Sequence, residues 1–226
     1  MAFMKASRFL ALLFSSAGSQ CAFPGYAPVP ISTASRPSPA IGLPNSGTNG
    51  FVTSKFTIRP AGNSDCCQVA EIYQESLDRV ASSMEVRTSA RHFEEQLAGF
   101  HDREVMLVLE TVEGLQGYGV VKQYSDRIGY RVACETSIYF RRSATGQGYG
   151  GALQQALMGK AREFQYHHIV AKIWTSNEGS IRFHERFGYR LVGVQKEVGY
   201  LAGRWRDVSI LQCLLDDVPP YRPELG

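Results

Sequence analysis

Between positions 145 and 151 the chain reads Thr-Gly-Gln-Gly-Tyr-Gly-Gly. A strand-like apolar run, Val132–Phe140, precedes it. Leu153, Leu157, Ala161 and Phe164 follow at helical steps. A strand that turns through glycine into a helix presents several backbone N–H groups at the positive end of the helix dipole, which suits a phosphate or pyrophosphate. Taken alone, such a turn can equally be structural. The surrounding residues narrow the ligand. No Gly-Lys-Ser/Thr follows, so the lysine and hydroxyl of a P-loop are missing. The turn comes after about the fourth strand, and residues 165–171 hold no acid, so it does not match a dinucleotide fingerprint. A pyrophosphate of neither class points to coenzyme A.

The elements around the loop follow from periodicity. Phe56–Ile58 reads as a short strand stopped by Pro60, and Asp65 is placed to cap a helix running to about Val80. A second helix is expected over Ala90–Phe100. Strands follow at Val105–Glu110, Gly117–Gln123 and Val132–Phe140, with a polar loop over Tyr124–Arg131. After the glycine loop and its helix come a strongly apolar strand, Ile169–Trp174, and a short helix, Gly179–Phe187, ended by Gly188. Tyr189–Val194 and Val208–Leu215 close the domain, with Arg204–Asp207 read as a turn. The order β-α-α-β-β-β-α-β-α-β-β implies a mixed α/β domain on one sheet.

Charge separates two regions. Residues 1–54 hold Lys5, Arg8 and Arg36 and no acid, so the remaining residues carry 21 basic against 21 acidic groups. That balance argues against a nucleic-acid partner. The apolar run Phe9–Phe14 after Lys5 and Arg8, followed by small residues to Ala22, has the order of a secretory signal. A Ser/Pro-rich stretch to Ser54 is expected to be disordered and also suits an organelle transit peptide, possible in a plastid. A flexible tail without a targeting role, and a cytoplasmic protein, is the alternative. No apolar run reaches the roughly 18–20 residues that span a bilayer. Cys21, Cys66, Cys67, Cys134 and Cys213 form no CxxC pair or zinc-spaced cluster, so no metal is expected.

Asn177-Glu-Gly-Ser-Ile-Arg-Phe-His184-Glu-Arg-Phe-Gly188-Tyr189 follows the apolar strand. Together with the glycine loop it resembles the GNAT superfamily of N-acetyltransferases. That superfamily carries Arg/Gln-x-x-Gly-x-Gly/Ala, then Asn-x-x-Ser/Ala and a closing Gly-Phe/Tyr. Thr145 stands where an Arg or Gln leads. Ala133-Cys-Glu135-Thr-Ser-Ile-Tyr139, His184-Glu-Arg-Phe-Gly-Tyr and Glu197-Val-Gly-Tyr-x3-Arg204-Trp-Arg-Asp207 are similar to its phosphinothricin acetyltransferase branch. The resemblance covers about Phe56–Leu214. It implies a mixed, mostly antiparallel sheet of six or seven strands, splayed in a V between the fourth and fifth and flanked by about four helices. The domain is expected over 55–216, between a leader at 1–54 and a tail at 217–226.

The resemblance further implies acetyl transfer from acetyl-CoA to the primary amine of a small acidic substrate, an amino acid or analogue, by direct attack in a ternary complex. Thr145, Gly146, Gln147, Gly148, Tyr149, Gly150 and Gly151 would hold the pyrophosphate. Backbone at Ile138, Tyr139 and Phe140 would hold the pantetheine arm, with Asn177 and Ser180 fixing it. Glu135 matches the branch's general base, and a carboxylate within an uncharged strand is costly without a task or partner. By strand alternation it shares a face with Ser137 and Tyr139. Its bland alternative is pairing with a loop arginine. His184 is the expected general acid toward the leaving thiolate, or else a packed histidine shaping the pocket. Arg127, Tyr130 and Tyr139 fall where the branch contacts the substrate acid, although Lys122 and the residues after it depart from its pattern; a solvated arginine is the alternative for Arg127. Cys134 is expected on the opposite face, Trp174, Phe164, Phe183 and Phe187 in the core, and His167-His168 in a surface turn. A homodimer is expected only from the family. The competing activities are acetylation of a protein N-terminus or lysine, which would call for an open peptide groove, and a non-catalytic coenzyme A-binding module.

Overall fold

The computed structural model describes residues 56–80 and 88–222. The leader read over 1–54 lies outside the described residues, as do the last four positions of the expected tail. Among the described residues seven strands and four α-helices appear in the expected order. β1 (Thr57–Pro60) leads into α1 (Cys66–Val80) and α2 (Ala90–Ala98). β2 (Val105–Thr111), β3 (Gly114–Gln123) and β4 (Ala133–Phe140) form an antiparallel meander. α3 (Tyr149–Glu163), β5 (His168–Trp174), α4 (Glu178–Glu185), β6 (Arg190–Leu201) and β7 (Arg204–Leu214) follow. The sheet runs β1-β2-β3-β4-β5-β7-β6, and β4–β5 is its parallel pair. This is the mixed, mostly antiparallel architecture expected.

β2 is apolar on both faces because helices cover both sides of that half of the sheet. Leu107, Leu109, Val121, Cys134, Ile169 and Ala171 belong to one core, which α3 fills with Leu153, Leu157 and Ala161. Met106, Val108, Tyr118 and Val120 belong to a second, closed by Val69 and Ile72 of α1 and Phe93 of α2.

Four local readings change. Asp65 does not cap α1. It is buried, and its carboxylate accepts two bonds from Arg59, at 2.7 and 3.0 Å, and one from the Gly62 N–H at 2.8 Å. An arginine fork from β1 outcompetes a single cap bond. The closing hairpin is longer than its pattern suggested. Gln195–Glu197 breaks the alternation, and the structure absorbs it as a bulge, with a register shift between Gln195 and Gly199 and Glu197 at φ +53°. Asp207 clamps that bulge by accepting the Glu197 N–H at 2.9 Å and pairing with Lys196 at 2.7 Å. Residues 204–207 are therefore strand, and the turn is Ala202-Gly203, both at positive φ as a tight hairpin requires. Trp174, expected in the core, is half-buried and lies against Gly199, where a Cβ would come within 2.6 Å of its ring. Finally, packing continues into the segment read as a tail. Val218 is buried, and the Arg103 guanidinium is 3.6 Å from the Tyr221 ring centroid.

The Arg59–Asp65 pair gives a testable pH dependence. Hydrogen bonds from Arg59, against the cost of burial, hold the Asp65 carboxyl below its ordinary value. The stability it contributes is present above the unfolded carboxyl's pKa and is lost as pH falls through the lower folded one. Asp65→Asn is expected to cost about 1–3 kcal/mol at neutral pH. In denaturant titrations the gap from wild type should narrow as pH falls below about 4.

Candidate active site

β4 and β5 pair over three residues only: Ala133 with His168, Cys134 with Ile169, Glu135 with Val170. Beyond Glu135 they part. Thr136–Phe140 remains bonded to β3, while Ala171–Trp174 is bonded to β7. The sheet thus opens a V whose apex is Glu135, and beyond that residue the β4–β5 ladder does not continue. An extended chain bearing amides can complete a strand edge as an added strand. Ile138, Tyr139 and Phe140 all lie on the β4 limb.

The glycine turn stands at the end of that limb. Arg141 anchors its start, reaching Glu71 at 2.7 Å and Glu75 at 3.1 Å on α1 and donating to the Leu115 carbonyl at 2.9 Å. Gly146 (φ +82°) and Gly148 (φ +81°) occupy the left-handed region, and Gly148 is the N-cap of α3. A Cβ at either would meet nothing within 4 Å, so the turn faces open space. Thr145 and Gln147 are exposed, while Tyr149, Gly150 and Gly151 form the first turn of α3; the Gly151 N–H donates to the Gly148 carbonyl at 3.2 Å, and the N–H groups of Tyr149 and Gly150 have no preceding helical carbonyl. These residues fit a pyrophosphate. Asn177 caps α4, its Oδ1 accepting the Ser180 N–H at 3.1 Å, which leaves its amide NH₂ as a donor.

At the apex the Glu135 carboxylate meets the Lys172 ammonium at 2.6 Å. The partner is thus a lysine of β5 and not a loop arginine. Lys122 lies directly across from Glu135 in the β3–β4 register, on the same face. The Lys172 ammonium is 5.6 Å from the Tyr124 ring centroid, and that ring is 5.9 Å from Tyr130. Lys172, Tyr124 and Tyr130 therefore lie close to one another beside Glu135. Arg127 is exposed at the start of the 128–130 turn, and its guanidinium enters no ion pair among the described residues. Tyr139 stacks on Tyr118 at 4.9 Å and meets Tyr73 edge-on at 5.3 Å; burial raises its phenol to about 12. Its ring is held in the α1 core rather than free.

His184 belongs to the other side of the sheet. It is buried and packs edge-on against Tyr189 at 5.1 Å, and the Tyr189 hydroxyl is 3.1 Å from the Thr136 hydroxyl. Thr136 points away from Glu135 by strand alternation. His184 Nδ1 lies 2.8 Å from the Ser180 carbonyl, which can only accept. The proton is therefore on Nδ1, and Nε2 carries a lone pair. Burial lowers the imidazole pKa, against a smaller opposing effect of the Ser180 bond, so the neutral ring is favoured. In that state it offers an acceptor. Cys134 is buried on the face opposite Glu135, and burial raises its thiol.

Reasoning from sequence missed Lys172 and Tyr124. The available signal was a lone lysine inside the apolar run Ile169–Trp174. Among the described residues no group of three His, Cys, Asp or Glu side chains is placed to hold a metal ion, and no helix is long and apolar enough to cross a membrane.

The family profile described as an acetyltransferase (GNAT) domain matches residues 58–210. An L-methionine sulfoximine/L-methionine sulfone acetyltransferase of Salmonella typhimurium is 31% identical over 72% of this chain and 96% of its own length. An L-amino acid N-acyltransferase of Escherichia coli is 29% identical over 72% of this chain and 95% of its own. A GNAT superfamily phosphinothricin acetyltransferase from Sinorhizobium meliloti, solved in complex with AcCoA, is 28% identical and superimposes with a TM-score of 0.67 over 76% of this chain and 95% of its own.

Proposed function

The chain belongs to the GNAT acetyltransferase domain family and is an acetyl-CoA-dependent acyltransferase; on that premise we propose that its acceptor is the primary amine of a small amino acid or analogue. The observation that carries this reading is the carboxylate of Glu135 at the apex of the splay, where the two limbs of the sheet separate. In this reading the acceptor amine attacks directly in a ternary complex. Glu135 takes a proton from the acceptor's ammonium, directly or through one water, so that the nitrogen lone pair becomes available.

The residues of the turn fit the cofactor. The N–H groups at 148–150 would hold the pyrophosphate, with Gly151 bonded back to the Gly148 carbonyl to shape the turn, the edge at 138–140 would bond the pantetheine amides, and the Asn177 NH₂, with Ser180 on the same helix, would fix the arm. Bound there, acetyl-CoA supplies an activated acetyl thioester. Tyr130 and Tyr124 would border the acceptor's side chain, with Arg127 at the mouth. The small-acceptor reading is supported by the loop after Gln123, which folds into a short helical turn and brings Tyr130 beside Tyr124, whose ring adjoins Lys172.

The test is thiol release from acetyl-CoA with a panel of acceptors. Amino acids and their sulfone, sulfoximine and phosphinate analogues should stimulate release, and amino-terminal peptides should not. If peptides work and amino acids do not, the small-acceptor reading fails.

For His184 the reading follows its tautomer. A ring that is neutral and bonded through Nδ1 shapes the pocket and offers Nε2 as an acceptor. His184→Ala is expected to lower kcat by less than about tenfold, well short of the 10²–10⁴-fold typical of a lost general acid. The alkaline limb of the wild-type pH–rate profile should remain in the variant. Its disappearance would restore His184 as the acid.

A further inference from the structure

We propose that Lys172, with Lys122 beside it, is the receptor for the acceptor's carboxylate, so that this site selects zwitterions. The inference rests on the reading of the site as an amino-acid N-acetyltransferase and adds the residues that recognise the substrate.

Three strands bring the charges together. Glu135 is on β4, Lys122 is directly opposite on β3, and Lys172 lies on β5 two residues beyond Val170, which is the partner of Glu135. Period-two alternation puts all three on one face. Lys172 thus pairs with the carboxylate at the apex of the V, and Lys122 shares its face from the neighbouring strand, so these three side chains carry one positive charge in excess. Lys172 and Glu135 are 43% and 34% exposed, so the pair is open to exchange with an incoming solute. An ion pair of that exposure contributes little to folding, commonly about 0–1 kcal/mol. Stability alone does not account for a lysine in an otherwise apolar strand at this point.

The chemistry of the base identifies what exchanges. A carboxylate paired with an ammonium at 2.6 Å must part from that cation before an acceptor's ammonium can take the same place. A simple amine entering as its ammonium would displace Lys172 from Glu135 and leave two uncompensated lysines beside it. An α-amino acid carries both replacements on one carbon. Its ammonium takes Lys172's place on Glu135, and its carboxylate takes Glu135's place on Lys172. The exchange adds no net charge and replaces one ion pair by two. It also aligns the amine with the base before the proton moves. The lysine's flexible stem allows the short swing this requires. The rings of Tyr124 and Tyr130 then border the amino acid's side chain. An amino-terminal peptide residue has its carboxyl tied in an amide and cannot complete the exchange.

The test compares each amino acid acceptor with its own primary amide in wild type and Lys172→Gln. Wild type should prefer the free acid in kcat/KM, and Lys172→Gln should remove about ten- to a hundredfold of that preference through KM, the range for a lost charge-assisted bond. An unchanged melting temperature controls for folding. If the variant loses acid and amide equally, Lys172 acts only on Glu135 and the proposal falls. It falls too if wild type accepts the amide as well as the acid. Calorimetric titration with the same amino acid in the presence of coenzyme A gives an arm independent of turnover. Weaker binding to Lys172→Gln than to wild type supports the carboxylate receptor even if no acceptor stimulates thiol release, a result that would defeat the acetyltransfer reading alone. Equal affinity overturns the receptor.

Discussion

Glu135→Gln lowers kcat for acetyl transfer by about 10²–10⁴-fold, the usual contribution of a positioned general base, while acetyl-CoA binds the variant about as well as wild type. The size of the effect follows from where the carboxylate stands. An amine acceptor enters as an ammonium, which has no lone pair and cannot attack. At neutral pH most of an α-amine is protonated. A base at the apex of the V is what converts it. Glutamine keeps the side chain's size and one acceptor oxygen but cannot take the proton, so binding and chemistry separate. The cofactor's own proposed contacts are backbone groups of the glycine turn and the β4 limb, and the substitution leaves them in place. The measurement is a steady-state series with saturating acceptor, paired with calorimetric titration of acetyl-CoA. Raising pH should recover part of the lost rate as the acceptor deprotonates in solution. A variant that keeps more than about a tenth of wild-type kcat would remove Glu135 from the chemistry. The Lys172 ion pair would then be a structural contact.

Gly117→Val is the substitution expected to destabilise the fold most. Gly117 on β3 is paired with Phe140, the last residue of the β4 limb. A Cβ there would sit on the Phe140 ring and come within 2.8 Å of the Tyr139 carbonyl oxygen. The ring would have to move, and the carbonyl belongs to the β3–β4 ladder and cannot retreat without breaking it. Overpacking of this kind costs about 1–3 kcal/mol, with a β-branched residue at the upper end. For a domain of this size the melting temperature should fall by roughly 5–10 °C. Because Phe140 ends the limb proposed to bind the pantetheine arm, KM for acetyl-CoA should rise in the same variant. Gly159 supplies the control. It lies exposed in α3 with nothing within 4 Å of its missing Cβ. Gly159→Ala should therefore stabilise by about 0.5–1 kcal/mol, the helix-propensity difference. If both substitutions shift the melting temperature alike, close packing at Gly117 is not what the position requires.

Much of the fold can be read locally. Leu153, Leu157 and Ala161 recur at helical steps and line the buried stripe of α3. Gly146 and Gly148 stand where the backbone enters the left-handed region. Gly188, at φ +86°, terminates the α4 segment as a C-terminal glycine should. The failures share a cause. Asp65 follows a local capping rule that a bidentate arginine from another strand overrides. The pattern of β6 stops at Gln195 because a bulge has no signature until its partner strand is known. Trp174 reads as core from its side chain alone, yet its neighbour is a glycine of the last hairpin.

The sequence by itself determined the order of elements, the glycine turn and the presence of one carboxylate in an apolar strand, because backbone sterics and side-chain periodicity act over a few residues. Only the tertiary structure decided what that carboxylate faces. Lys122 and Lys172 come to Glu135 through the registers of two different strand pairs, and a one-residue slip in either would turn a lysine to the other face. The splay between β4 and β5 is a choice of the same kind. Their backbones can pair throughout, and they part after Glu135 because β3 and β7 hold the two limbs in their own ladders. No stretch of either strand encodes that competition.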